Sequence, residues 1–210
     1  GEVNIFGAQV ALLNAGLSAA GRQGGGTLRI GGDARGSELA PTARRTYVGN
    51  GVVINSDATH HGDGGQIYIW SDESTHFYGS LSAQGGYQGG NGGFAEISGK
   101  LNLAYEGEVN LSAPQGDIGT LLFDPDNILI KNGSGVNTPD IASFPQVQQT
   151  SGITLFVVHE ETLESLTSNS NIVLEAAVDI IIEDLTDNVL SLSPGTNIEL
   201  NADSNGNGTG

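Results

Sequence analysis

A block of about 28 residues that recurs along the chain limits the possible folds more than any other feature. It begins four times: NAGLSAAGRQGGGTLRIGGD from Asn14, NGVVINSDATHHGDGGQIYIWSDE from Asn50, YGSLSAQGGYQGGNGGFAEISGK from Tyr78 and EGEVNLSAPQGDIGTLLFDPD from Glu106, with starts 36, 28 and 28 positions apart. Each copy reads as a strand ending in a small-residue step, then a glycine-rich corner, then a second strand of form Gly-x-Φ-x-Φ, where Φ is apolar. A third short run, TYV at 46–48, HFYG at 76–79 and LAYEG at 103–107, precedes the next block.

In the second strand the apolar pairs are Leu28 and Ile30, Ile67 and Ile69, Ala95 and Ile97, and Leu121 and Phe123. One residue separates the members of each pair, so both point to one side of a strand and line an interior. Arg29, Tyr68 and Glu96 fall between them and are expected to face solvent, with Leu122 as an exception. Three strands and three turns make one coil. No helical period is available to cross back over a sheet, so the apolar pairs are buried by stacking coil on coil. At ~4.8 Å per coil, roughly seven coils give a rod section on the order of 35 Å. The reading is an all-β, parallel β-helix (β-solenoid) with about three strands per coil. The extra residues near 35–45, RGSELAPTAR at their centre, predict a projecting loop.

Coils are expected over 1–132. From Asp124 the register changes, and 133–168 reads as an excursion: a Gly, Ser, Asn, Pro and Gln-rich stretch over 132–152, a strand at 153–158, and one short helix over 159–168. NIVLEA at 171–176, DIIIEDL at 179–185, VLSLS at 189–193 and NIELNA at 197–202 predict resumed coils over 169–210.

The 33 glycines carry no three-residue period, which excludes collagen, and an apolar content of 37% is too high for a disordered low-complexity chain. With no Cys, nothing is held by disulfides or thiolate-bound metal. The net charge of −17 argues against nucleic acid and anionic membrane as partners. All five Arg precede Thr46 and no Lys or Arg follows Lys131. The start, GEVNIFGAQV, lacks a basic region followed by an apolar core, so the chain is expected to begin inside a larger protein or after processing.

The ordered string GGGTLRIGGD, YVGNG, INSDA, GDGGQIYIWSDESTHFYGSLSAQGG, GNGGFAEISGK and GTLLFDPDNI resembles the filamentous-haemagglutinin-type exoproteins of two-partner secretion systems. TLESLTSNSNIVLEAAVDIIIEDL is similar to a segment downstream of that string in such proteins. The resemblance implies a right-handed parallel β-helix, exported through an outer-membrane secretion pore and displayed on or shed from a Gram-negative-type bacterium. The Asn-Pro-Asn-Gly signature of the family's N-terminal secretion domain is absent from this sequence, which implies an internal or downstream portion.

Catalysis is weighed because some parallel β-helices cleave polysaccharides. Such chemistry needs a cation to neutralise a uronate and a base to take a proton. Lys100 and Lys131 read as isolated, and the arginines match no carboxylate cluster in sequence, so no enzyme is expected. His60 and His61 sit in the corner ATHHGDGG; on an extended strand adjacent side chains would point to opposite sides, against a shared metal, and a solvent-exposed turn is the better reading. Asp203, Asn205 and Asn207, followed by Gly208, match the first half of a calcium loop, making Ca2+ the candidate cofactor. An ordinary Asn/Gly turn is the alternative. Tyr68, Trp70 and Phe94 occupy expected outward positions of adjacent coils, as a surface for sugar or for a neighbouring rod. Cross-coil stacking is the plainer role.

The sequence therefore predicts a non-enzymatic extracellular rod of structural or adhesive function. Expected partners are a host or neighbouring-cell surface, extracellular matrix or glycans, and further copies of the chain in fibres. A carbohydrate-binding or polysaccharide-cleaving β-helix is the alternative.

Overall fold

The computed structural model describes residues 1–135, 155–185, 187–206 and 208. Strands dominate, and all their pairings are parallel. The longest ladder stacks β1 (Glu2–Ile5), β4 (Thr27–Ile30), β7 (Gln66–Ser71), β10 (Phe94–Gly99), β13 (Thr120–Phe123), β16 (Asn171–Glu175) and β18 (Ile198–Asn201). A second contains β2 (Gln9–Leu12), β5 (Arg45–Val48), β8 (Ser74–Phe77) and β11 (Asn102–Tyr105). A third contains β3 (Gly16–Ser18), β6 (Val53–Asn55), β9 (Ser80–Ser82) and β12 (Glu108–Asn110). These are the three strands of the sequence repeat. β1 and β2 precede its first copy and show the same alternation, with Val3 and Ile5 in β1 and Val10 and Leu12 in β2 on the inward side.

The register follows the interior pairs. Leu28, Ile67 and Ala95 stand opposite one another, as do Ile30, Ile69 and Ile97. All of these, with Leu121 and Phe123, are fully enclosed. Each such Ile, Leu or Phe contributes about 1.5–3 kcal/mol by leaving water. Inside, Phe77 and Tyr105 stack with centroids 5.8 Å apart, and Tyr105, Phe123 and Phe156 continue the column at 5.1 Å steps.

Corners are set by backbone proximity. The amide of Gly65 donates to Ser56 O, that of Gly93 to Ala83 O and that of Gly119 to Leu111 O, each closing the corner that leads from the third ladder back to the first. The missing Cβ of Gly65 would collide with the carbonyl oxygen of Gly26, that of Gly93 with Gly65, and that of Gly119 with Gly93. None of these needs a left-handed backbone, so the requirement is steric. Hydroxyls complete the corners: Ser56 Oγ donates to Gly26 O at 2.7 Å and Thr75 Oγ1 to Ser98 O at 2.7 Å.

The repeat changes after β13. Strand β14 (Ile128–Lys131) pairs with β17 (Ile180–Ile182) on one side and β15 (Phe156–His159) on the other. β15 also contacts β11, so a later strand lies between two earlier ones. The helix α1 (Glu160–Leu166) follows β15, inside the expected 159–168, and buries Leu163 and Leu166. Leu111 N–H bonds Asn169 O just beyond it, at the edge of the third ladder. Thus 155–168 packs into the stack instead of departing from it. Most of the expected excursion at 132–152, and the start of the strand expected at 153–158, lie outside the described residues. The 189–193 segment forms no strand, and Val189 and Leu192 are exposed.

The loop near 35–45 projects only in part. Leu39 at its crest is 90% exposed, but its root folds back over the outer face of the longest ladder. The steric account of the corners predicts that Gly65→Ala costs about 1–3 kcal/mol, whereas Gly16→Ala, with open space at its Cβ, changes stability by less than about 0.5 kcal/mol. Urea unfolding of both variants checks this; equal midpoints would contradict it.

Candidate functional site

The loop root builds a cleft on the outer face of the longest ladder. The chain leaves β4 through Gly31, which has φ +77°, and Asp33 caps a short 3-10 turn over Ala34–Gly36 by accepting the Ala34 N–H at 2.8 Å. Arg35 adopts φ +51°, a conformation that costs a non-glycine residue energy unless its surroundings hold it there. They do so at three points. Its backbone N–H donates to both carboxylate oxygens of Glu96, at 3.1 and 3.0 Å. Its guanidinium bonds both oxygens of Glu175, at 2.9 and 2.7 Å. The flanking Gly32 and Gly36 lie so close to the Trp70 indole that a Cβ on either would enter the ring.

Trp70 is thereby 5% exposed. It stands on the outer face as the sequence predicted, but the loop covers it, which removes it from an exposed aromatic surface. Its Nε1 donates to Asp72 Oδ1 at 3.2 Å, and Asp72 Oδ2 accepts from Thr42 Oγ1 at 2.6 Å. Tyr68 and Phe94 remain together, half-buried, with ring centroids 5.8 Å apart and Arg29 6.0 Å above the Tyr68 ring.

Glu96, expected to face solvent, is 1% exposed beneath the same loop. Burial raises its pKa to about 7, against the opposing pull of the Arg35 N–H. Beside it, Asp124 is raised to about 6 by burial and then by the neighbouring Glu175 charge. Asp126 is also raised by burial, with Lys100 acting in the other direction.

The cleft, of about 530 Å³, lies between Arg35 and Trp70 on one side and Asn201, Ser204 and Asn205 on the other, with Lys100, Asp124, Asp126 and Glu175 between them. Lys100 is exposed and has no carboxylate within 4.0 Å among the described residues. The cations and carboxylates that look scattered in sequence are therefore neighbours here. Arg35 and Glu175 are 140 positions apart, and Arg35 and Glu96 are 61 apart. Chemically, the cleft offers carboxylate acceptors, side-chain amides, a hydroxyl and one unpaired ammonium, a set that matches the hydroxyls of a polyol.

The other candidate residues lie in different surroundings. Asp203 has φ +50°; its carbonyl accepts Gly206 N–H at 2.8 Å and its carboxylate accepts Gly208 N–H at 3.1 and 3.2 Å. Asn205 Nδ2 donates to Ala177 O at 3.0 Å, and Asn207 lies outside the described residues. Asp203 thus closes a turn, and among the described residues no group of three or more His, Cys, Asp or Glu is arranged to hold a metal ion. His60 and His61 sit in a bend, as the corner reading expected, and their rings lie together at 4.3 Å, with Tyr87 4.8 Å from His60. His76 is buried against Ser74 at 2.8 Å, and burial lowers its pKa to about 4.

No protein-family model matches the chain, and no curated protein matches its sequence.

Because burial raises Glu96 and Asp124 above their unfolded values of 4.5 and 3.8, the folded chain binds more protons between those values and about 7 and 6. Stability therefore falls as pH rises through this window. Thermal melts from about pH 4.5 to 8 should show that decline, and Glu96→Gln should flatten it by raising the midpoint at the alkaline end. An unchanged slope in the variant would remove Glu96 as its source.

Proposed function

We propose that this chain is a segment of an extracellular, right-handed parallel β-helix that serves as a non-enzymatic structural or adhesive rod, part of a bacterial surface adhesin or fibre secreted across the outer membrane. The observation that carries this reading is the seven-stranded parallel ladder over a continuous aliphatic and aromatic interior. Such a ladder resists bending because every rung is hydrogen-bonded to the next, and its outer faces are left for contacts. The resemblance to filamentous-haemagglutinin-type exoproteins supports the same reading and suggests cell surfaces, matrix or glycans as partners. Electron microscopy of the natively isolated material, with and without a calcium chelator, tests it. Long rods with a regular axial repeat are expected, and their loss on chelation would show that their assembly depends on Ca2+. Compact particles alone would overturn the rod.

A carbohydrate-binding or carbohydrate-cleaving β-helix is the second reading, and the cleft between Arg35 and Asn205 favours it. There carboxylates, one free ammonium and hydrogen-bonding side chains line a cavity within the ~300–1,000 Å³ range of small-ligand sites. A glycan array probed with the chain and with an Asp124→Asn, Lys100→Ala variant tests it. Selective glycan binding that drops about tenfold or more in the variant is expected, equivalent to losing one or two charge-assisted hydrogen bonds. Glycan binding unaffected by the two substitutions would exclude the cleft. Release of reducing ends from a bound polysaccharide would favour cleavage over adhesion.

A further inference from the structure

A second groove lies on the third ladder, away from the loop and its cleft. β12 is the last strand of that ladder, and α1 stands beyond it where another strand would continue the stack. Successive residues of a parallel strand turn their backbone groups to opposite neighbours. Glu108 N–H bonds Gly79 O at 3.0 Å and Asn110 O accepts from Ala83 N–H at 3.1 Å, both toward β9. The N–H and C=O of Val109 therefore face away from β9. On that side, the backbone bond made among the described residues is Leu111 N–H to Asn169 O at 3.0 Å, at one end of the strand.

A groove of about 780 Å³ runs from α1 over β12 to residues of β9 and β6. Its lining includes Glu106, Glu108 and Glu161 and contains no Lys, Arg or His. Its apolar lining includes Val53, Ile54, Leu81, Val109 and Leu166. Tyr105 also borders it, 6% exposed, with a buried hydroxyl that has no hydrogen-bond partner.

We propose that this groove docks an extended, lysine- or arginine-bearing peptide segment of a partner protein, which pairs its backbone with the edge of β12 that faces α1 and sets its cations against the three glutamates. Strand addition supplies main-chain bonds at ~4.8 Å from β12, and alternate side chains reach the carboxylates. Charge selects the occupant: a second copy of a chain with net charge −17 would meet the glutamates with like charge. The proposal is independent of whether the rod is adhesive or binds sugar.

Fluorescence anisotropy with a labelled peptide of alternating lysine and valine tests it. A matched probe with alternate backbone amides methylated keeps the charge but cannot pair with an edge. Binding of the first is expected, with a loss of about tenfold or more for the methylated probe and about fivefold or more for Glu108→Gln, Glu161→Gln, the range of one or two lost charge-assisted bonds. The control Glu183→Gln, Asp184→Asn should stay within about twofold, as expected for substitutions away from the contact. Equal binding of both probes, or equal loss in the control variant, would overturn the docking site in favour of diffuse charge attraction. No binding at all would also overturn it and leave Glu108 as protection of an exposed edge. Self-association of the chain that disappears in Glu108→Gln, Glu161→Gln would replace the peptide with a second copy.

Discussion

Close approach of backbone to backbone at the glycine corners is the contact on which the rest of the molecule depends. Gly26, Gly65, Gly93 and Gly119 lie one above another, each leaving no room for a side chain against the carbonyl below. That contact brings the end of the third strand of one rung to the start of the next rung's first strand, as the bond from Gly65 N–H to Ser56 O illustrates. With the corner fixed, Ile67 and Ile69 have only one side on which to find Leu28, Ile30, Ala95 and Ile97. The interior is thus a result of the corner as much as of hydrophobicity. Glycine in an ordinary strand weakens it; here the weakness is offset by hydrogen bonds that a larger residue would prevent from forming.

The outer face obeys a different rule. Nothing about a strand's alternation forces its outward residues into water, and the loop from Asp33 to Ala43 uses that freedom. Trp70 and Glu96 are covered by glycines and by one backbone amide, and Arg35 is held in a strained conformation by partners on two separate strands. The result is a local polar environment with raised carboxylate pKa values beside an unpaired ammonium, on a scaffold too regular to supply one by itself. Loops on rigid scaffolds commonly carry specificity for this reason.

How much of this was legible in the sequence follows from the range of the interactions. The three strands of each rung, their inward pairs and the helix near 160 were readable because a period of two, a recurring glycine corner and Glu160 and Glu161 ahead of Leu163 are local signals. The first rung lies within the coils expected over 1–132, but its strands were not delineated because the repeat was counted from Asn14. Glu96 and Trp70 were misjudged because their cover comes from residues some 35 to 61 positions away, and outward alternation alone says nothing of what lies above. The cleft was invisible for the same reason: Lys100, Asp124 and Glu175 look isolated until the stacking register places them side by side. The adjacent histidines were readable as a turn because the glycine-rich corner ATHHGDGG is itself a local signal.

The insertion of β15 between β11 and β14 has a consequence for how the chain acquires its shape. Up to β13, each rung needs only the rung already formed, so the stack can grow from one end as residues arrive. β14 breaks this sequence, because its neighbour toward β11 is a strand that comes 28 positions later. Until Phe156–His159 arrives, β14 has no seat on the earlier rungs of its ladder, and the growing edge at β11 stays open. Assembly is therefore processive for the first half of the chain and cooperative across this junction. The slowest step should be closure of that gap, and the exposed edge of β11 the place where an incomplete chain is most open to mispairing.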